Sequence, residues 1–242
     1  MDQMPPALPH GQLEEVFPDV FFVTGMMKTV LMDVPWQFSR NMTVVREGTA
    51  LTLINAIRLD DAALAQLEAL GRITNVVNIA SMHGRDIAFY TTRYGATFWA
   101  LPGMQHEHGL TPDKELTPDG QMPFAGCSLF NFRTIKRPEG ILHIDRAGGI
   151  LVSGDSLQNW LAPDEFFSED SRKMMTEMGF FQAANFGPLW MKVNEPKAED
   201  FVHLLELPFR HVLAGHGSPF WSTTRDTAKE AYRATFHRVF GV

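Results

Sequence analysis

The chain has 242 residues, 45% of them hydrophobic and 20% charged, the balance of an ordinary folded protein and not of a disordered or fibrous one. A formal net charge of −7 argues against the basic surface that nucleic-acid binding needs. The single cysteine, Cys127, excludes intramolecular disulfides and thiolate metal clusters.

No apolar run reaches the roughly 20 residues that span a bilayer. Met1-Asp2-Gln3-Met4-Pro5-Pro6 lacks a basic segment followed by an apolar one, so no secretory signal is expected. The expectation is a cytoplasmic protein that takes a small-molecule ligand, with neither nucleic acid nor membrane as partner. No linker-like stretch divides the chain, which predicts one domain over residues 1–242.

Val20-Phe21-Phe22-Val23 predicts a first strand. Residues 41–46 and 51–54 flank Glu47-Gly48-Thr49 and predict a hairpin, with Gly48 taking a positive φ. Leu64, Leu67 and Leu70 recur at helical spacing after Asp60 or Asp61, which can cap a helix that Gly71 ends. Strand character returns over Ile73–Ile79 and over Thr97–Leu101, the latter halted by Pro102-Gly103. Residues 102–126 have no clean period and predict a loop. Strands follow at 128–135, 140–144 and 149–152, then a helix over 163–178, a strand over 209–213 and a closing helix over 223–240 opened by Ser222 or Thr223. Interleaved strands and helices indicate an α/β layered fold.

Polar residues directly after apolar strands mark where side chains converge on a ligand in such folds. Three places qualify. The strand ending Ile79-Ala80 runs into Ser81-Met82-His83-Gly84-Arg85-Asp86. The strand Ile150-Leu151-Val152 delivers Ser153-Gly154-Asp155, and the strand His211-Val212-Leu213 delivers Gly215-His216-Gly217. Singly, each has an ordinary reading, as a helix cap, a turn or a core histidine.

Taken together and in this order, they resemble the metallo-β-lactamase superfamily. That family carries His-x-His-x-Asp-His after a strand, then a Gly-His segment, then a strand ending in Gly-Asp and another ending in Gly-His-Gly. The resemblance spans most of the chain. It implies an αββα sandwich, two mixed β-sheets face to face with helices outside and the site at one edge.

The match to the metal motif is partial. Ser81 falls on the first histidine, His83 on the second, Arg85 on the aspartate and Asp86 on the last histidine. The Gly-His segment is replaced by Lys136-Arg137-Pro138-Glu139-Gly140, where Glu139 is the one residue able to substitute as a ligand. Two arrangements stay open. In one, His83, Asp86, Asp155 and His216 hold a single divalent ion, zinc first and iron or manganese as alternatives, for a mononuclear hydrolase of a small ester, thioester, lactone or phosphoester. Asp155 would be the central ligand, and Asp86 a ligand or base. In the other, no metal binds, and Arg85 fills the former metal site.

A guanidinium about 4 Å from a divalent ion costs on the order of 8 kcal/mol at an effective dielectric near 20. An inward-pointing Arg85 would therefore favour the metal-free arrangement, an anion pocket bordered by Ser81, Arg137 or Lys136, and Glu139. A protein that has kept only the fold is the third possibility.

Four further features stay open. His106-Glu107-His108 lies in the expected loop and reads as solvated or as a pocket wall. His143 is placed on the opposite side of its strand from Leu142 and Ile144, toward solvent. Asn55, at a strand end, is either a pocket hydrogen-bonding group or a simple terminator. Met174–Phe181, with Trp160 and Trp190, is either a helix packing face or an apolar pocket cover.

Overall fold

The computed structural model describes residues 4–221 and 227–241. A mixed seven-stranded sheet holds β1 (Glu14–Phe17), β2 (Val20–Leu31), β3 (Val34–Glu47), β4 (Ala50–Ile54), β5 (Arg72–Asn78), β6 (Thr97–Ala100) and β7 (Lys114–Glu115), in that order. Its first four strands are antiparallel and the rest parallel. The second sheet has the order β13 (His211–Leu213), β10 (Ile150–Val152), β9 (Gly140–Ile144), β8 (Cys127–Asn131), with only the β10–β13 pair parallel. A short ribbon pairs β11 (Leu157–Gln158) with β12 (Asn185–Phe186).

Strand periodicity sorts the core into layers, because successive side chains face opposite sides of a sheet. Val20 and Phe22 join Ile54, Val77, Leu142, Ile144, Ile150 and Val152 between the two sheets. Phe21 and Val23 point the other way and pack with residues of α1 (Asp61–Leu70) and α2 (Ile87–Tyr94). On the far side, Ile141 and Leu151 meet Phe201 and Leu204 of α5 (Ala198–Glu206) and Tyr232 and Phe236 of α6 (Thr227–Phe240). Helix, sheet, sheet and helix make the expected αββα sandwich. The remaining helices, α3 (Glu169–Glu177) and α4 (Pro188–Asn194), lie in the segment after β10.

Several boundaries differ from the sequence expectation. The first strand and the start of the hairpin are the ends of one long antiparallel pair, β2 with β3, that turns at Met32-Asp33. Both turn residues have positive φ, 53° and 61°, without a glycine to signal it. The helix expected over 163–178 begins only at Glu169, where the Ser168 hydroxyl accepts from the Ser171 N–H. The strand expected over 128–135 stops at Asn131, because the buried Asp200 carboxylate takes the Arg133 and Thr134 N–H groups. His143 does not face solvent. It is buried toward the helix side and bonds the Pro208 carbonyl at 2.8 Å. Ser222 and Thr223, expected to open the last helix, lie outside the described residues.

Candidate functional site

His83, Asp155 and His216 come together at one edge of the sandwich. One ligand atom from each lies within 4.8 Å of the others. His216 Nε2 is 3.0 Å and His83 Nε2 3.5 Å from the same Asp155 oxygen, Oδ1. Asp155 follows β10, His216 follows β13, and the parallel pairing of those strands sets the two side by side.

Glycines let the three loops interlock. A Cβ on Gly154 would stand 2.2 Å from the Ala80 Cβ, and one on Gly215 would stand 2.7 Å from the Gly154 carbonyl and 2.9 Å from the His83 ring. Only bare backbone fits at either place. These close approaches are the physical content of the Ser-Gly-Asp and Gly-His-Gly motifs.

The long strand β3 supplies the next layer. The Ser39 carbonyl accepts from His216 Nδ1–H at 3.0 Å, which fixes the ring and turns Nε2 toward Asp155. The Asn41 side chain donates to the Ala214 and Gly217 carbonyls at 2.9 and 2.6 Å, clamping the loop that carries His216. Asn55 performs the same service for the other loop by donating to the Ser153 carbonyl at 3.0 Å. It is therefore a buried strut between the sheets, and its φ of 56° marks the bend.

Burial works against ionisation of the Asp155 carboxyl, but the His83 and His216 imidazoles beside it prevail and hold its pKa below the usual carboxylate range. Burial lowers the pKa of His83, against the pull of Asp155. Glu139 is buried in the same cavity wall, with its carboxylate accepting the Ser156 N–H at 2.7 Å. Burial first, and the Asp155 charge second, push its pKa up to about 8.

The donor set suits a divalent ion. Two ligands bound at about 2.0–2.1 Å in a tetrahedral site stand roughly 3.3 Å apart, and the distances of 3.0 and 3.5 Å bracket that value. An imidazole whose pKa burial lowers, a carboxyl held below its usual range and a second imidazole anchored to a carbonyl are the groups that ligation needs.

Asp86 does not join them. Its Oδ2 takes Arg40 Nη2 and the Arg58 N–H, and its Oδ1 takes Arg85 Nη1 at 2.6 Å. Both oxygens are spent on buried guanidinium and backbone partners, so the expected role of Asp86 as ligand or base is corrected. Arg85 is corrected too. Its Nη1 is bound to Asp86, its Nη2 donates to the Pro6 carbonyl at 3.0 Å, and it is not part of the cavity lining.

The buried cation at this edge is instead Arg40, which the sequence reading missed. It is 2% exposed, borders the cavity with His83, Asp155 and His216, and leaves Nε and Nη1 without hydrogen-bond partners. Burial lowers its pKa while Asp86 opposes the shift. It nevertheless stays cationic, as guanidinium does.

The cavity above the cluster has a volume of about 290 Å³. On β2, Met27, Thr29 and Leu31 line it, and on β3 Trp36, Phe38 and Arg40 do, every second residue of each strand. Trp160, Met175, Phe180 and Trp190 close the other side. The Met174–Phe181 stretch therefore contributes to the cavity wall as well as to packing. Ser81 and Arg137 lie at the rim, where Ser81 Oγ donates to the Pro138 carbonyl. Lys136 turns away to Glu195 at 2.8 Å. His106 stands outside the cavity lining, edge-on to Phe98 with ring centroids 4.8 Å apart, and the His108 side chain lies outside the described residues.

No protein-family model and no curated protein matches the sequence. Solved structures do match the coordinates. A metallo-β-lactamase from Hirschia baltica superposes with a TM-score of 0.59 at 15% identity, over 94% of this chain and 98% of that one. The FIM-1 metallo-β-lactamase of Pseudomonas aeruginosa, in its mono-zinc form, gives 0.60 at 14% identity over 98% of each chain. A metallo-β-lactamase from Pontibacter korlensis gives 0.57 at 9% identity over 93% and 98%. The fold is that of the metallo-β-lactamases. Within this fold the chain keeps a cluster of two histidines and an aspartate and sets beside it an arginine–aspartate pair. Among the described residues no helix is long and apolar enough to cross a membrane.

Proposed function

We propose that the protein is a hydrolase that works with one divalent metal ion, zinc in the first instance, held by His83, Asp155 and His216. The observation that carries this reading is the convergence of those three side chains on one point of the cavity floor, with His216 pre-oriented by the Ser39 carbonyl. When bound, such an ion lowers the pKa of a coordinated water and polarises a substrate carbonyl or phosphoryl group.

The chain's own residues do the rest. Asp155 brings the negative charge and the two imidazoles bring nitrogen donors. The wall of Trp36, Phe38, Trp160 and Phe180 excludes bulk water and seats an apolar substrate body. The overall reaction adds water across an acyl or phosphoryl bond to a heteroatom, with the leaving group taking up a proton. Purified protein stripped with chelator and reloaded with Zn²⁺, Fe²⁺ or Mn²⁺ is to be assayed on esters, thioesters, lactones and phosphoesters bearing apolar substituents. Turnover restored by metal and lost in the Asp155→Asn variant supports the reading. Turnover in none of them, or turnover indifferent to Asp155→Asn, contradicts it.

A second reading, a metal-free pocket for an anionic ligand, is favoured by the unpaired donors of Arg40. Less than a tenth of an equivalent of metal after reloading would decide for it.

A further inference from the structure

The face of β3 that lines the cavity carries Trp36, Phe38 and Arg40 at alternate positions, an apolar track ending in a buried cation. The four steps from Trp36 to Arg40 cover about 13 Å of strand. Across the cavity the track is matched by Trp160, Met175 and Phe180, which with Trp36 and Phe167 form an apolar cluster of their own, separate from the main core layers.

Arg40 and Arg85 share one carboxylate, Asp86. Glu107 adds a weaker attraction, and another acidic residue of the cavity wall, Asp155, is already faced by His83 and His216. Arg40 thus presents Nε and Nη1 donors that are buried and unsatisfied. Donors left in that condition carry an uncompensated desolvation penalty, larger on a charged group, and that penalty disappears when an anionic oxygen accepts from them. An aromatic surface alone would select for hydrophobicity. An aromatic surface ending in an unsaturated guanidinium selects for a particular amphiphile.

We infer that the cavity binds a medium-length apolar molecule with a carboxylate or an equivalent oxyanion at one end, the apolar body lying along Trp36 and Phe38 and the anionic end received by Arg40. In a hydrolase this describes the acid product, or the substrate oxygen on which negative charge develops. The inference rests on the reading of the cavity as the substrate site and not on the metal. Because Nε and Nη1 are sealed in the free protein, seating the anion requires a small side-chain movement of the cavity floor, of the kind that commonly accompanies binding.

Arg137, exposed at the rim, is the competing cation. The test is calorimetric titration of the full chain, with and without chelator, using decanoate, decanol and acetate as probes. Decanoate should bind at least tenfold more tightly than either decanol or acetate, in chelator as well as without it. The preference over decanol should collapse in the Arg40→Met/Asp86→Asn double variant, which removes the buried pair together, and survive in Arg137→Ala.

Equal affinity for decanoate and decanol in the unaltered protein overturns the inference, and that comparison needs no variant to fold. So does loss of the preference in Arg137→Ala with retention in the double variant, which would make the rim arginine the anion receptor. Binding of decanoate that disappears with chelator would place the anion on a metal ion and would also overturn the role given to Arg40. Failure of metal reloading to restore turnover, with the decanoate preference intact, would sink the hydrolase reading and leave this inference standing.

Discussion

Two buried ionic groups sit at the same edge of the sandwich and follow different rules. In the first, an aspartate faces two histidines, all three donors open onto the cavity, and the Asp155 side chain is 23% exposed there. In the second, Arg40 and Asp86 pair at 2% and 1% exposure, with Arg85 and the Arg58 N–H completing the shell of Asp86. The first is one carboxylate faced by two imidazoles at the edge of the cavity. The second saturates its carboxylate with fixed protein charge and leaves only guanidinium donors over. The comparison teaches that an acidic residue in the motif region can serve as a ligand only if fixed guanidinium and backbone donors do not occupy its oxygens; Asp86 fails that condition, and Asp155, faced by two imidazoles, does not.

Breaking the second group should have the largest effect on stability. Arg40→Met strands a buried carboxylate that keeps only Arg85 and one backbone donor. Removal of one partner of a buried pair costs about 3–5 kcal/mol, so chemical denaturation should show a loss of that order. The Arg40→Met/Asp86→Asn double variant should recover a good part of it, because no uncompensated charge is left behind. If the double variant is as unstable as the single one, the pair is not the self-contained unit described here. Arg85→Ala should do far less, about 1 kcal/mol, since Arg40 and the Arg58 N–H still hold Asp86. Destabilisation by Arg85→Ala equal to that of Arg40→Met would exchange the roles of the two arginines.

Much of the first group was legible in the sequence and almost none of the second. Asp155 and His216 each follow a short apolar strand and sit among glycines, and those glycines are the ones that close backbone approach demands. Most of the strands followed from such apolar runs, and the αββα layering from the resemblance to the metallo-β-lactamase superfamily. Arg40 stands 46 residues from Asp86 in sequence, and the Ser39 carbonyl 177 from the histidine it orients. Contacts that distant leave no local pattern.

The one available signal was the alternation Trp36, Phe38, Arg40, hidden because the β2–β3 turn at Met32-Asp33 lacks the Asn-Gly or Asp-Gly pair that usually announces a hairpin. Arg85, next to His83 and Asp86 in the motif, was the natural candidate for an inward cation. The structure reverses that choice, because the Pro6 carbonyl and Asp86 draw the Arg85 side chain away from the cavity lining.

The most direct measurement is the stoichiometry of zinc taken up by chelator-stripped protein, compared across the unaltered chain, Asp86→Asn and Asp155→Asn. One equivalent bound by the unaltered chain and by Asp86→Asn, with binding lost in Asp155→Asn, is the predicted result. Two equivalents, uptake that depends on Asp86, or less than a tenth of an equivalent in the unaltered chain would contradict a single-metal centre built on His83, Asp155 and His216.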